Sequence, residues 1–126
     1  MITLTWLNVE KTILQMQFGA SWTESDFNGA CDTAQLLIRS VSHPVDIIAD
    51  LSLSKNSPPN LIAIVRKRMK LPKCYQNIIV IRQSHLWERL YQYMMRVYPQ
   101  DIPAVNFVTS RYEALQILGV NQYNES

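Results

Sequence analysis

The residues able to do chemistry are few, and the first group lies where an apolar run ends. Val45-Asp46-Ile47-Ile48-Ala49 stops at Asp50, and Ser54 and Ser57 follow before the Pro58-Pro59 step. Loops after the C-terminal ends of buried strands are where doubly wound domains hold ligands. A phosphoacceptor role for Asp50 needs further carboxylates after the first strand to hold magnesium and a lysine after the last. Here the first strand runs into Asn8-Val9-Glu10 and Arg111 is the cation near the end, so Asp50 reads as a loop anchor. His43 sits beside Pro44 and His85 opens a helix, without a partnered nucleophile or metal-ligand spacing. Ser84, His85 and Asp50 at one sheet end are the only hydrolase constellation to weigh, and a minor one. No loop carries GxGxxG or a phosphate-binding P-loop. The expectation is a chain that is not an enzyme, with no cofactor and no metal.

The second group is charged. Up to Ser54 the acids outnumber the bases, whereas from Lys55 to Arg82 every charge is basic: Lys55, Arg66, Lys67, Arg68, Lys70, Lys73 and Arg82. Such a one-signed stretch puts a positive field on one face. Nucleic-acid binders interleave aromatics with their cations, and only Tyr75 is close. A protein partner is therefore expected rather than nucleic acid, met by Asp50, Lys55, Arg66, Lys67 and Lys70. The third group is the aromatic stretch His85 to Tyr98, which holds more apolar positions than one buried stripe requires. Trp87, Tyr91, Met94 and Tyr98 are its candidates for the lip of an apolar pocket or a homodimer surface. Cys31 and Cys74 form no CxxC pair, which suits a reducing compartment and a packing role for Cys31.

The elements that must position these groups follow from periodicity. Ile2 to Val9 and Thr12 to Phe18 alternate apolar and polar residues around Glu10-Lys11, which predicts an antiparallel hairpin. Phe27, Ala30, Cys31, Ala34, Leu37, Ile38 and Val41 then recur at helical spacing, capped by Ser21 with Glu24 or by Thr23 with Asp26. Val45 to Ala49 and Asn77 to Arg82 are continuous apolar runs and so interior strands. Pro58-Pro59 opens a second helix with Leu61, Ile64, Val65 and Met69 inward, stopped by Pro72. Ser84 caps a third helix with Leu86, Leu90, Met94 and Val97 inward. Ala104 to Val108 is a last strand, and Ser110 with Glu113 caps a closing helix ended by Gly119.

The predicted class is α/β: a mixed five-stranded sheet in β-β-α-β-α-β-α-β-α order, one domain over residues 1–120 with a frayed tail at 121–126. At 126 residues, 48% hydrophobic and 17% charged, the chain can build a core without disulfides or metal. No apolar run approaches the ~20 residues of a membrane span, and the N-terminus lacks the features of a signal peptide, so a cytoplasmic location is expected.

This order, with Ile48-Ala49-Asp50-Leu51-Ser52 closing the third strand, resembles the STAS family, the anti-sigma-factor antagonist-like domains of bacteria. The likeness spans nearly the whole chain in topology. In that family the Asp-Leu-Ser strand end leads to an Asp-Ser-Ser/Thr-Gly step, whose serine is phosphorylated by a partner kinase. Here the stretch is Leu53-Ser54-Lys55-Asn56-Ser57-Pro58-Pro59, which puts Ser57 first and Ser54 second as phosphorylation candidates. Trp22-Thr23 at the start of the first helix is similar to the degenerate, stand-alone bacterial branch. The resemblance implies a non-catalytic regulatory module that binds a protein such as an anti-sigma factor or kinase through the Ser54 to Lys70 loop and helix. The alternative is a carrier of a small apolar ligand or lipid held between sheet and helices near Trp87.

Overall fold

The computed structural model describes residues 1–71, 73–100 and 102–119. Its elements run β1 (Ile2–Trp6), β2 (Ile13–Phe18), α1 (Glu24–Arg39), β3 (Asp46–Asp50), α2 (Leu61–Met69), β4 (Ile78–Ile81), α3 (Leu86–Val97), β5 (Asn106–Val108) and α4 (Arg111–Ile117). The five strands lie side by side in sequence order, so β3 is central as the apolar run at 45–49 requires. β1 pairs antiparallel with β2, which pairs parallel with β3, and β4 and β5 continue the parallel part. The expected mixed α/β architecture is the observed one.

The hairpin closes over residues 7–12, a wider turn than the two residues Glu10-Lys11. Asn8 fixes it through Oδ1, which accepts from the Thr12 and Ile13 amides at 3.0 and 3.3 Å. Lys11 takes a positive φ of 59° inside this turn. Gly19 at the end of β2 donates to the Met1 carbonyl at 2.8 Å, and a Cβ there would stand 3.0 Å from that oxygen, so the close approach needs glycine.

Alternation along the strands sorts the core into two faces. Leu14, Met16, Ile47, Ala49 and Val80 share one face with Ala30, Ala34 and Ile38 of α1. Ile13, Ile48, Ile79, Ile81 and Val108 share the other with Ala114 and Leu115 of α4. Of the two offered caps, the structure takes Thr23: its side chain accepts from Asp26 N at 3.0 Å and its amide donates to Asp26 Oδ2 at 3.0 Å. In α4 the cap is half as expected. Ser110 Oγ accepts from Glu113 N at 3.2 Å, but the Glu113 carboxylate reaches Thr109 instead of the Ser110 amide. Gly119, at φ +76°, ends that helix.

The phase of α3 departs from the sequence expectation. Leu90 is half-buried and Met94 buried, but Leu86 and Val97 are exposed. At roughly 100° per residue the inward arc centres on Met94 and takes in Trp87, Leu90 and Tyr91, leaving Leu86 and Val97 one row away. Trp87 sets this rotation by stacking on Trp22, with ring centroids 6.5 Å apart. The Pro72 helix stop and the 121–126 tail lie outside the described residues.

Candidate functional site: an apolar cavity under α2 and α3

Helix α1 packs tightly on the sheet because alanines face it: Ala30 and Ala34 are buried. α2 and α3 pack differently. Each has a single fully buried residue, Ile64 and Met94 respectively. The remaining apolar side chains on their inner faces are half-buried, and they bound a cavity of about 410 Å³ between these helices, α1 and the sheet. Met16, Ala49 and Val80, paired across β2, β3 and β4, form its floor. The alanine makes the dip in that row.

The end beyond the strand C-termini is aromatic. Trp22 lies edge-on to Phe18 at 4.8 Å and 5.9 Å from Phe27, with Trp87 stacked on it. Its indole Nε1 donates to Ser54 Oγ at 2.8 Å, so the residue preceding the α1 cap is anchored to the loop after β3. The same loop is strapped to the end of the hairpin by Lys55 and Asn56 amides donating to the Ala20 carbonyl at 2.8 and 2.9 Å. On the third helix, Tyr91 accepts from Val105 N, donates to the Pro103 carbonyl and packs 5.4 Å from Phe107, closing the cavity toward β5.

The end that precedes β4 is different. Arg68, Lys73, Cys74 and Tyr75 line it, with Cys31 from α1. Arg68 Nη2 donates to Asp32 Oδ1 at 2.8 Å, and its guanidinium lies close enough to the Cys31 thiol to act on it. Burial pushes the Cys31 thiol up, against the pull of that guanidinium, and burial likewise raises the Tyr75 phenol. Both cysteines are free thiols. The sequence signal for Arg68 is its spacing: it stands seven residues after Leu61 and three after Val65, on the apolar face of α2.

Trp87, Tyr91 and Met94, read from the sequence as pocket or dimer-surface residues, line the cavity. Tyr98 is placed differently from these three. It is absent from the lining and instead receives the Arg66 guanidinium, 3.8 Å from its ring centroid. That contact engages Arg66, which is half-buried. Lys55, Lys67 and Lys70 are exposed, as a partner surface requires. Asp50 is not: it is 6% exposed, and its Oδ1 accepts from Ser52 N at 2.9 Å, the loop-anchor role read from the sequence. Ser57 is exposed three residues ahead of the α2 cap Asn60, while Ser54 is tied to Trp22.

Ser84, His85 and Asp50 do not form a chain of hydrogen bonds. Ser84 Oγ accepts from Leu86 N at 3.1 Å, and His85 Nδ1 faces Glu88 Oε1 at 2.9 Å, beside the Arg82–Glu88 ion pair. No group of three or more His, Cys, Asp or Glu is set to hold a metal ion, and no helix is long and apolar enough to cross a membrane, among the described residues.

No family model matches the chain, and no curated protein matches it. Among solved structures it is similar to an uncharacterized protein of the DUF3478 family from Shewanella loihica PV-4, with 14% identity, a TM-score of 0.64, and coverage of 94% of this chain and 92% of that one. That neighbour is described as having a SpoIIAA-like fold, and the likeness at this identity is one of fold. With that TM-score and near-complete coverage, the five-stranded sheet and its helices have a SpoIIAA-like, and so STAS-like, α/β fold.

Proposed function

We infer that the domain is a non-catalytic binding module that holds a small apolar molecule between the sheet and α1, α2 and α3. The observation that carries this reading is the cavity of about 410 Å³, within the ~300–1,000 Å³ of ordinary small-molecule sites. Protein interiors are close-packed, and side chains around a gap lose dispersion contacts that an apolar guest restores. Native mass spectrometry of the chain purified from its source tests the idea. A bound mass is expected, lost on denaturation. Bare protein that also fails to take up a hydrophobic fluorophore would sink it.

A second reading is a regulatory module similar to the anti-sigma-factor antagonists, meeting a protein partner through the 54–70 loop and helix. It is favoured by the SpoIIAA-like fold of the neighbour and by the exposed cations Lys55, Lys67 and Lys70, with no acid in α2. In this reading Ser57 is the accessible phosphoacceptor. A pull-down in which Lys67→Glu with Lys70→Glu leaves every partner in place counts against this surface. Both readings put the domain in the cytoplasm.

A further inference from the structure

Resting on the cavity reading above, we propose that its ligand is an amphiphile with an anionic head, held at the Arg68 and Lys73 end while the apolar body lies against Phe18, Trp22 and Trp87. The charges around the cavity carry the argument. Among the described residues that line it, Arg68 and Lys73 are the charged ones, both cations, and no carboxylate joins them. The Arg68 side chain is 19% exposed, and its partner Asp32 is 66% exposed. Solvent screens that counterion, whereas the cavity that Arg68 lines is otherwise bounded by apolar and uncharged groups apart from Lys73, among the described residues. A guanidinium carries five N–H donors in a planar fork that matches carboxylate or phosphate, and the bond to Asp32 does not use them all. Removing such a cation from water is costly unless an anion complements it.

The topology supplies the orientation. Lys73, Cys74 and Tyr75 precede β4 and so stand at the N-terminal edge of the parallel strands, where the Gln76 amide bonds the Val45 carbonyl at 2.7 Å. Trp22 follows β2 and Trp87 follows β4, at the opposite edge. Five-residue β3 between them spans about 16 Å. The aromatic end offers no free indole donor from Trp22, because its Nε1 is bonded to Ser54. A head group is therefore complemented at one end and a hydrocarbon at the other.

The test titrates the full chain with oleate, with an oleoyl lysophosphatidate and with the uncharged oleyl alcohol, reading tryptophan fluorescence and native mass spectra. Oleate, lysophosphatidate or both are expected to bind about tenfold or more tightly than the alcohol, and which of them does so identifies the head as carboxylate or phosphate. Arg68→Gln should remove most of that preference and Lys73→Gln part of it, with uptake of the alcohol unchanged. Should Arg68→Gln fail to fold, the wild-type preference and the exposed Lys73→Gln variant still decide. Equal binding of all three compounds overturns the head assignment and leaves the apolar cavity standing. Binding of none removes both.

Discussion

Ala49→Ile is the perturbation that interrogates the cavity most directly. Ala49 is buried near the C-terminal end of the central strand, between Met16 of β2 and Val80 of β4, and lines the gap. The substitution adds three carbons, each stabilising by about 0.8 kcal/mol when buried. Restricting the new side chain costs roughly 0.5–1 kcal/mol. A β-branched residue also suits a strand. The expected net gain is about 1.5 kcal/mol, which for m of roughly 2 kcal/mol/M moves the urea midpoint up by about 0.7 M with m unchanged. In a filled core the same change is overpacking and costs roughly 1–3 kcal/mol. The sign thus separates a real gap from close packing. Urea unfolding followed by tryptophan fluorescence, together with uptake of an apolar probe, gives the answer. Stabilisation with weakened uptake is expected, and a midpoint that falls refutes the cavity and the function drawn from it.

Thr23→Ala removes the side-chain acceptor of the α1 capping box and should lower stability by about 1 kcal/mol in urea unfolding. The Thr23 amide that Asp26 accepts, followed by the N-terminal charge, holds the Asp26 carboxyl below its ordinary range. Its stabilising share is therefore complete above the unfolded-state value of roughly 4 and is lost as pH falls through the lower folded value, so Asp26→Asn should flatten the acid limb of a stability profile, and an unchanged limb would count against the pairing. Ile48→Ala, at a fully buried site on β3 in the core shared with α4, should cost about 2–5 kcal/mol, and a cost near zero would mean that this face is loosely packed.

The sheet and its helices were legible because each strand and helix announces its own period. Ile2, Leu4 and Trp6 alternate along an edge strand, Ala30, Ala34 and Ile38 recur along a helix, and the apolar runs at 47–49 and 78–81 mark strands covered on both faces. The cavity was legible only as an excess of apolar positions around Trp87, Tyr91 and Met94; its extent and its cationic end were not, because a gap is a failure of distant side chains to meet and leaves no local pattern. Trp22 illustrates the difficulty. It precedes the helix cap, where no periodicity applies, yet its ring joins Phe18, Phe27 and Trp87 from three other elements. The burial of Asp50 and the engagement of Arg66 by Tyr98, 32 positions away, likewise depend on packing that spacing alone does not encode.

α2 joins the two functional readings. Its inner face carries Leu61, Val65 and Arg68 into the cavity, and its outer face carries Lys67 and Lys70 to solvent. Ile64 is its one fully buried residue, and the Arg66–Tyr98 contact and the Arg68–Asp32 ion pair tie it to α3 and α1. A ligand that favours one placement of such a helix over another shifts the population of its outer surface by its difference in affinity for the two, and by no more than that. The ratio of partner capture with and without oleate, compared between wild type and Arg68→Gln, measures this difference. A ratio of one in both proteins means that the inner and outer faces act separately, and a ratio that departs from one only when Arg68 is present means that the head group and the partner act through the same helix.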